Sequence, residues 1–131
     1  MEPLVSFQLI TNEMSIKNNH LQEGSFSISP RVTRSISEID AAHFAVQLIF
    51  ELVNTPDVPF PVDIRIDLTG MFDTGNLPKD GIDEFLKYQA VQIMFPYIRS
   101  MVSSMTSGAM MVPVVLPIID VREMFREQSE E

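Results

Sequence analysis

Residues 60–68, FPVDIRIDL, alternate without a fault: Phe60, Val62, Ile64, Ile66 and Leu68 are apolar, with Pro61, Asp63, Arg65 and Asp67 between them. Successive strand side chains point to opposite faces, so this stretch is an antiparallel strand with one dry and one wet face. A dry face obliges the chain to supply a covering layer. From Ile82 the spacing changes to threes and fours: Ile82, Phe85, Leu86, Ala90, Ile93, Met94, Tyr97, Ile98, Met101, Val102 and Met105. That is the stripe of a long amphipathic helix. Four strands followed by helices predict an α+β fold, with the helices packed on one face of an antiparallel sheet.

The other strands are less regular. Residues 4–18 place apolar side chains at odd positions (Val5, Phe7, Leu9) and then at even ones (Met14, Ile16), a phase slip that predicts a long strand with a bulge. Residues 18–25 read as a loop. A second strand is expected from Phe26 through Ile28, Val32 and Ile36, with an irregular start at Pro30. Residues 43–53 form a third, with Phe44, Val46, Leu48, Phe50 and Leu52 on one face. Pro96 falls inside the helix pattern, lacks a backbone donor and crowds the preceding turn, which predicts a kink or break near Phe95. Gly108 is expected as the helix C-cap, and Asp120 as the N-cap of a short final helix. One domain over 1–131 is expected, with the sheet in 1–73, the helices and an apolar connecting loop in 79–131, and a frayed acidic tail at 127–131.

Charge excludes several partners. Nine Lys and Arg stand against eighteen Asp and Glu, a net −9 with no basic patch, so neither nucleic acid nor an anionic membrane is expected. Absent cysteine removes disulfides and thiolate zinc sites and suits a reducing compartment. The N-terminus shows no signal-peptide pattern. Residues 100–119 carry no charge, but serines, Thr106 and Gly108 dilute the first half and Pro113 and Pro117 break the second, so a cytoplasmic protein is expected. Hydrophobic residues make up 45% of this small acidic chain, which predicts oligomerisation.

Catalytic and metal-binding patterns are weak. Residues 73–84 have calcium-loop length, but Gly75, Leu77 and Pro78 occupy positions that need ligands and the turn glycine. Asp63 and Asp67 flank Arg65 on a solvated face, where Arg65 would hold both ionised. His20 and His43 have no carboxylate or second histidine at ligand spacing, and no phosphate cradle or nucleophile motif occurs. Neither an enzyme nor a cofactor is expected. What remains is apolar surface: AMMVPVVLPI, residues 109–118, has no charged or hydrogen-bonding side chain, and five of nine methionines lie between 94 and 111. Met94, Met101 and Met105 fit a core or a subunit interface. Met110 and Met111, beside prolines, suit a surface that accepts many shapes.

The stretch MFPYIRSMVSSMTSGAMMVPVVLPIIDVREMF resembles the C-terminal half of the SecB protein-export chaperones. Phe95, Pro96, Tyr97 and Arg99 match the family's helix, Pro113, Leu116 and Pro117 its proline-bounded loop, and Met124 and Phe125 its final helix. TGMF, 69–72, resembles the end of the fourth strand and FQLITNEMSI, 7–16, the first. The resemblance implies a holdase that binds unfolded preproteins without ATP, in apolar grooves. The matching positions are Leu21, Phe26, Ile28, Met110, Met111, Val112, Val114, Leu116, Ile118, Met124 and Phe125. It implies dimers through sheet edges and the first helix, which assigns Phe7, Leu9, Phe85, Ile93, Tyr97 and Met101 to subunit contacts, and pairing of dimers into a tetramer. Glu13 fits the acidic face that family members present to SecA. Lys17 and Arg65 depart from it, as do Asp120 and Val121 in the final helix, so weak or no SecA binding is expected. A dedicated chaperone or regulatory protein with one partner, such as an antitoxin, is the alternative. A small-ligand pocket between sheet and helix is the third reading.

Overall fold

The computed structural model describes residues 5–21, 24 and 26–125. Four strands, β1 (Ser6–Asn18), β2 (Arg31–Glu38), β3 (His43–Leu52) and β4 (Val62–Asp73), precede α1 (Lys79–Glu84), a π-helical turn (Phe85–Gln89), α2 (Ala90–Gly108) and α3 (Val121–Met124). The antiparallel sheet has the order β1-β4-β3-β2, which leaves β1 and β2 as edges. The alternation in β3 and β4 sends Val46, Leu48, Phe50, Leu52, Val62, Ile64, Ile66, Leu68 and Phe72 to one buried face. Ala90, Val91, Met94, Phe95, Ile98 and Val102 of α2 complete the core. At Gly70 a Cβ would lie 2.6 Å from the Phe72 ring and 3.1 Å from Met94 Sδ, so only glycine leaves room for both side chains under the helix.

The phase slip in β1 is a register shift between Thr11 and Glu13 opposite β4, the predicted bulge. The second strand begins later than its apolar spacing suggested. Pairing starts at Arg31 opposite Glu51, just after Pro30, and Phe26 and Ile28 lie outside the sheet.

The helix discontinuity also lies elsewhere. α2 runs unbroken through Pro96, and the irregular turn is at Phe85–Gln89, where the Ala90 N–H reaches back five residues to Phe85 O. Close packing on both sides of the proline holds α2 in register, with Met94 and Ile98 fully buried and Phe95 edge-on to Phe50 at 6.4 Å. The widened turn presents Phe85 and Leu86 to the core as well as Ala90 and Val91. Arg34, on the inner face of β2, donates to the Lys87 carbonyl in this turn.

The polar face of the sheet is a lattice of cross-strand contacts. Arg65 lies 2.7 Å from Glu13 on β1 and 3.4 Å from Glu51 on β3, tying three strands together. It pairs with neither Asp63 nor Asp67, because cross-strand neighbours are nearer than residues two apart on one strand. Asp67 instead accepts from Asn12 and Gln47, and Asp63 from the Asn54 N–H and the Asn19 side chain. The Asn54 and Asn19 donors hold the Asp63 carboxyl below its ordinary range. His43, expected to stand apart from carboxylates, has Nδ1 2.7 Å from Asp40 and Nε2 3.5 Å from Asp73. The hydrogen bond to Asp40, then its charge, raises the His43 pKa.

Candidate functional site

A segment with two prolines and no polar side chain still has backbone groups to satisfy. Helix α2 supplies the partners. Thr106 Oγ1 accepts the Val114 N–H at 2.9 Å, Ser103 Oγ donates to Val114 O at 3.0 Å, and Arg99 Nε donates to Leu116 O at 3.2 Å. Residues 99, 103 and 106 are spaced i, i+4, i+7, so they form one polar row along the helix. Thr106 is fully buried, with its own proton directed back at the Val102 and Ser103 carbonyls. The apolar segment is thereby held extended alongside α2 without entering the sheet.

Thr106→Val keeps the shape and removes the acceptor of the Val114 N–H. We expect it to lower the unfolding free energy by about 1–3 kcal/mol in urea denaturation. A loss within error would mean that water takes over the bond and the row is not an anchor.

Together with the β1–β2 connection, the anchored segment walls an open groove of about 640 Å³. Leu21, Gly24, Phe26 and Ile28 form one side, Phe60 and Pro61 the base, and Met111, Val112, Pro113, Val114 and Val115 the other side. Phe26 and Phe60 meet edge-to-face with centroids 6.3 Å apart. Among the described residues no charged side chain lines it, and the surface these residues offer is apolar.

Of the predicted groove residues, Leu21, Phe26, Ile28, Met111, Val112 and Val114 lie in this lining. Met110 and Ile118 are outside it and 94% and 87% exposed. Leu116 and Phe125 are core residues, each 1% exposed, and Met124 packs half-buried against the same core. An extended segment turns successive side chains to opposite sides, so Leu116 plugs the core while Val115 faces out. Phe125 also turns inward, where the Arg34 guanidinium covers its ring, 4.1 Å from the centroid. Sequence reasoning missed Phe60 and Pro61, which it assigned wholly to a strand, and Arg99, Ser103 and Thr106. The i, i+4, i+7 spacing of those three beside a proline-rich segment was the available signal.

Among the predicted subunit contacts, Phe85 is a core residue, edge-on to Phe72 at 5.8 Å. Phe7 and Tyr97 are exposed, and Leu9, Ile93 and Met101 are half-buried. Ile93, Tyr97 and Met101 form a row beside the buried face of α2. Glu13 is exposed on the polar sheet face with its carboxylate on Arg65. The Asp120 side chain caps α3 through the Arg122 N–H at 2.9 Å, as predicted. Residues 127–131 lie outside the described residues.

The described residues thus set an apolar groove on a sheet-and-helix frame, a surface suited to apolar chain or ligand. The family model for preprotein translocase subunit SecB matches residues 3–131, and the chain belongs to that family. Protein-export protein SecB of Paracoccus denitrificans is 24% identical over 97% of this chain and 78% of its own length. The SecB of Neisseria meningitidis serogroup A is 23% identical over 99% of this chain and 93% of its own. An uncharacterised protein of Methanocaldococcus jannaschii is 33% identical over 53% of this chain, which spans 45% of that protein. Among solved structures, the Mycobacterium tuberculosis SecB-like chaperone, in complex with a ChAD peptide from the HigA1 antitoxin, has the same fold. Its TM-score is 0.71 at 11% identity, over 88% of this chain and 90% of that one. SecB is a family of non-enzymatic protein-export chaperones, and this chain is a SecB-type chaperone. Among the described residues, no helix is long and apolar enough to cross a membrane.

Proposed function

We propose that this chain is an ATP-independent holdase that keeps non-native polypeptides soluble by covering their apolar segments in the groove between Leu21, Phe26 and Ile28 on one side and residues 111–115 on the other. The single observation that carries this reading is an open groove, lined among the described residues by uncharged side chains, whose wall is pinned to α2. Burial of client side chains at roughly 25 cal/mol per Å² needs neither a catalytic residue nor a cofactor. The relative from Mycobacterium tuberculosis, which holds a peptide, supports the same class of ligand here. One domain spanning the chain, a cytoplasmic location and a homo-oligomer, dimer or tetramer, belong to this reading. The exposed Phe7 and Tyr97 support the oligomer, and mass by light scattering tests it.

Stoichiometric suppression of aggregation of a denatured test protein checks the activity. Met111→Asp with Val112→Asp puts two charges into the groove wall, where Val112 is 87% exposed. Met111 is half-buried against the core, so far-UV circular dichroism first checks folding. In the folded variant we expect at least about tenfold weaker client binding, since each lost apolar side chain is worth about 1.5–3 kcal/mol when fully buried. Wild-type suppression by this variant would end the groove assignment.

A second reading, a dedicated chaperone for one partner without SecA coupling, draws support from the polar sheet face. Arg65 already pairs with Glu13, the acidic residue at the position matched to the SecA-facing surface, so a basic partner would have to displace it. We expect no measurable binding of the basic SecA tail at physiological salt. Tight docking would favour the export role instead.

A further inference from the structure

His43 stands between two carboxylates from different parts of the chain, at the end of the sheet away from the groove. Asp40, in the turn between β2 and β3, lies 2.7 Å from Nδ1. Asp73, the last residue of β4 and the cross-strand partner of His43, lies 3.5 Å from Nε2. The two contacts are not equivalent. Asp40 Oδ1 is fixed by the turn itself, where it accepts the Ala42 N–H at 2.9 Å and the His43 N–H at 3.0 Å. A carboxylate so placed only accepts, so the nitrogen facing it carries the proton of the neutral ring. A neutral ring therefore turns a bare Nε2 lone pair toward Asp73. Only a second proton makes that contact a charge-assisted hydrogen bond.

Asp73 is also engaged through its other oxygen, Oδ1, which accepts the Gly75 N–H at 2.9 Å and shapes the exit from β4. The Thr74 N–H donates to Ala42 O at 2.7 Å, and the buried Thr74 hydroxyl donates to the same carbonyl. The β2–β3 turn and the connection from β4 to α1 thus meet at two points. Thr74 on Ala42 is independent of pH, whereas Asp73 on His43 depends on the charge of the ring. No other charge competes among the described residues packed here. Residues 74–78 are uncharged, β1 brings Ser6 opposite Asp73, and Glu38, paired with Phe44, lies on the other face of the sheet. The His43 side chain is 50% exposed, so it exchanges protons with solvent without any opening of the fold.

We propose that His43 is a pH-operated clasp. When charged, it bridges Asp40 and Asp73 and holds the β2–β3 turn to the β4–α1 connection; when neutral, it releases Asp73. The hydrogen bond to Asp40, the charge of Asp40 and then Asp73 raise the His43 pKa. Its contribution is therefore fully present below the ordinary histidine value and is lost as pH rises through the raised one. At the acid end, the Ala42 N–H and then the His43 side chain hold the Asp40 carboxyl below its ordinary value. The clasp accordingly persists until pH falls through that lowered value.

The test follows the full-length, ¹⁵N-labelled protein by NMR from about pH 5 to about pH 9, the interval in which histidine changes charge. Asp73→Asn keeps an acceptor for the Gly75 N–H and removes the charge, and His43→Gln keeps a polar side chain that does not titrate. We expect His43 to titrate above the ordinary histidine value and Asp73→Asn to lower its midpoint. Protection of the Thr74 amide against hydrogen exchange, corrected for the intrinsic rate, should fall about two- to fivefold as the ring loses its charge, the range for an exposed ion pair. In His43→Gln that protection should stay constant over the same interval.

An unchanged His43 midpoint in Asp73→Asn would mean that Nε2 does not engage Asp73, and would overturn the clasp. The same pH response of Thr74 in wild type and His43→Gln, or none in either, would overturn it too and confine the His43–Asp40 pair to its own turn.

Discussion

Phe125→Ala is expected to cost about 3–5 kcal/mol of unfolding free energy, the range for truncating a buried aromatic ring. The ring is 1% exposed and lies under the Arg34 guanidinium, 4.1 Å from its centroid. Arg34 in turn faces Tyr88 at 5.8 Å and donates to the Lys87 carbonyl. Loss of the ring therefore opens a cavity beneath α3 and unseats the cation that joins β2 to the π-helical turn. The cation–π contact alone contributes about 0.5–2 kcal/mol. Urea denaturation followed by far-UV circular dichroism measures the change. The resemblance to other export chaperones placed Phe125 in the client groove, which predicts the opposite pattern: nearly unchanged stability and weakened binding. A loss under about 1 kcal/mol would return Phe125 to the groove.

Leu116→Ala is expected to cost about 2–5 kcal/mol, with binding by the folded fraction unchanged. Leu116 is 1% exposed, and its carbonyl is held by Arg99, so the backbone cannot easily settle into the space vacated. Val115→Ala, one residue earlier and 68% exposed, is the matched control and should stay within about 0.5 kcal/mol of wild type. Equal effects at 115 and 116 would mean that the segment is not held in the orientation described. The contrast also separates fold from function, because Val115 lines the groove and Leu116 does not.

Much of the frame was legible because its residues obey short-range periodicity. The alternation of 43–52 and 62–68 reappears as the buried face of β3 and β4, and the phase slip in β1 as its bulge. Period two and period 3.6 are properties of backbone geometry, so they survive without knowledge of neighbours. The groove was less legible. Phe26 and Ile28 read as strand positions because they continue the spacing of Val32 and Ile36, yet no partner strand pairs with them. Leu116 and Phe125 share the apolar character of Met111 and Val112, and composition cannot tell a core plug from a groove wall. Arg65 likewise read as the partner of Asp63 and Asp67, its neighbours along the strand, and strand register gave it Glu13 and Glu51 instead.

The amino-acid order by itself determined a four-stranded sheet covered by a long helix, an acidic surface, and an apolar segment that Pro113 and Pro117 bar from any ladder. Each of those follows from local sterics, donor inventory or charge. Only the tertiary structure decided which way that segment faces. Thr106, Ser103 and Arg99 grip its backbone at Val114 and Leu116, and that grip turns Leu116 into the core and leaves Met111 and Val112 on the groove. The hydrogen bonds join residues 8, 11 and 17 positions apart across a chain reversal. The left-handed Met110 that makes the reversal is likewise a product of closure, since nothing in its own chemistry favours that conformation.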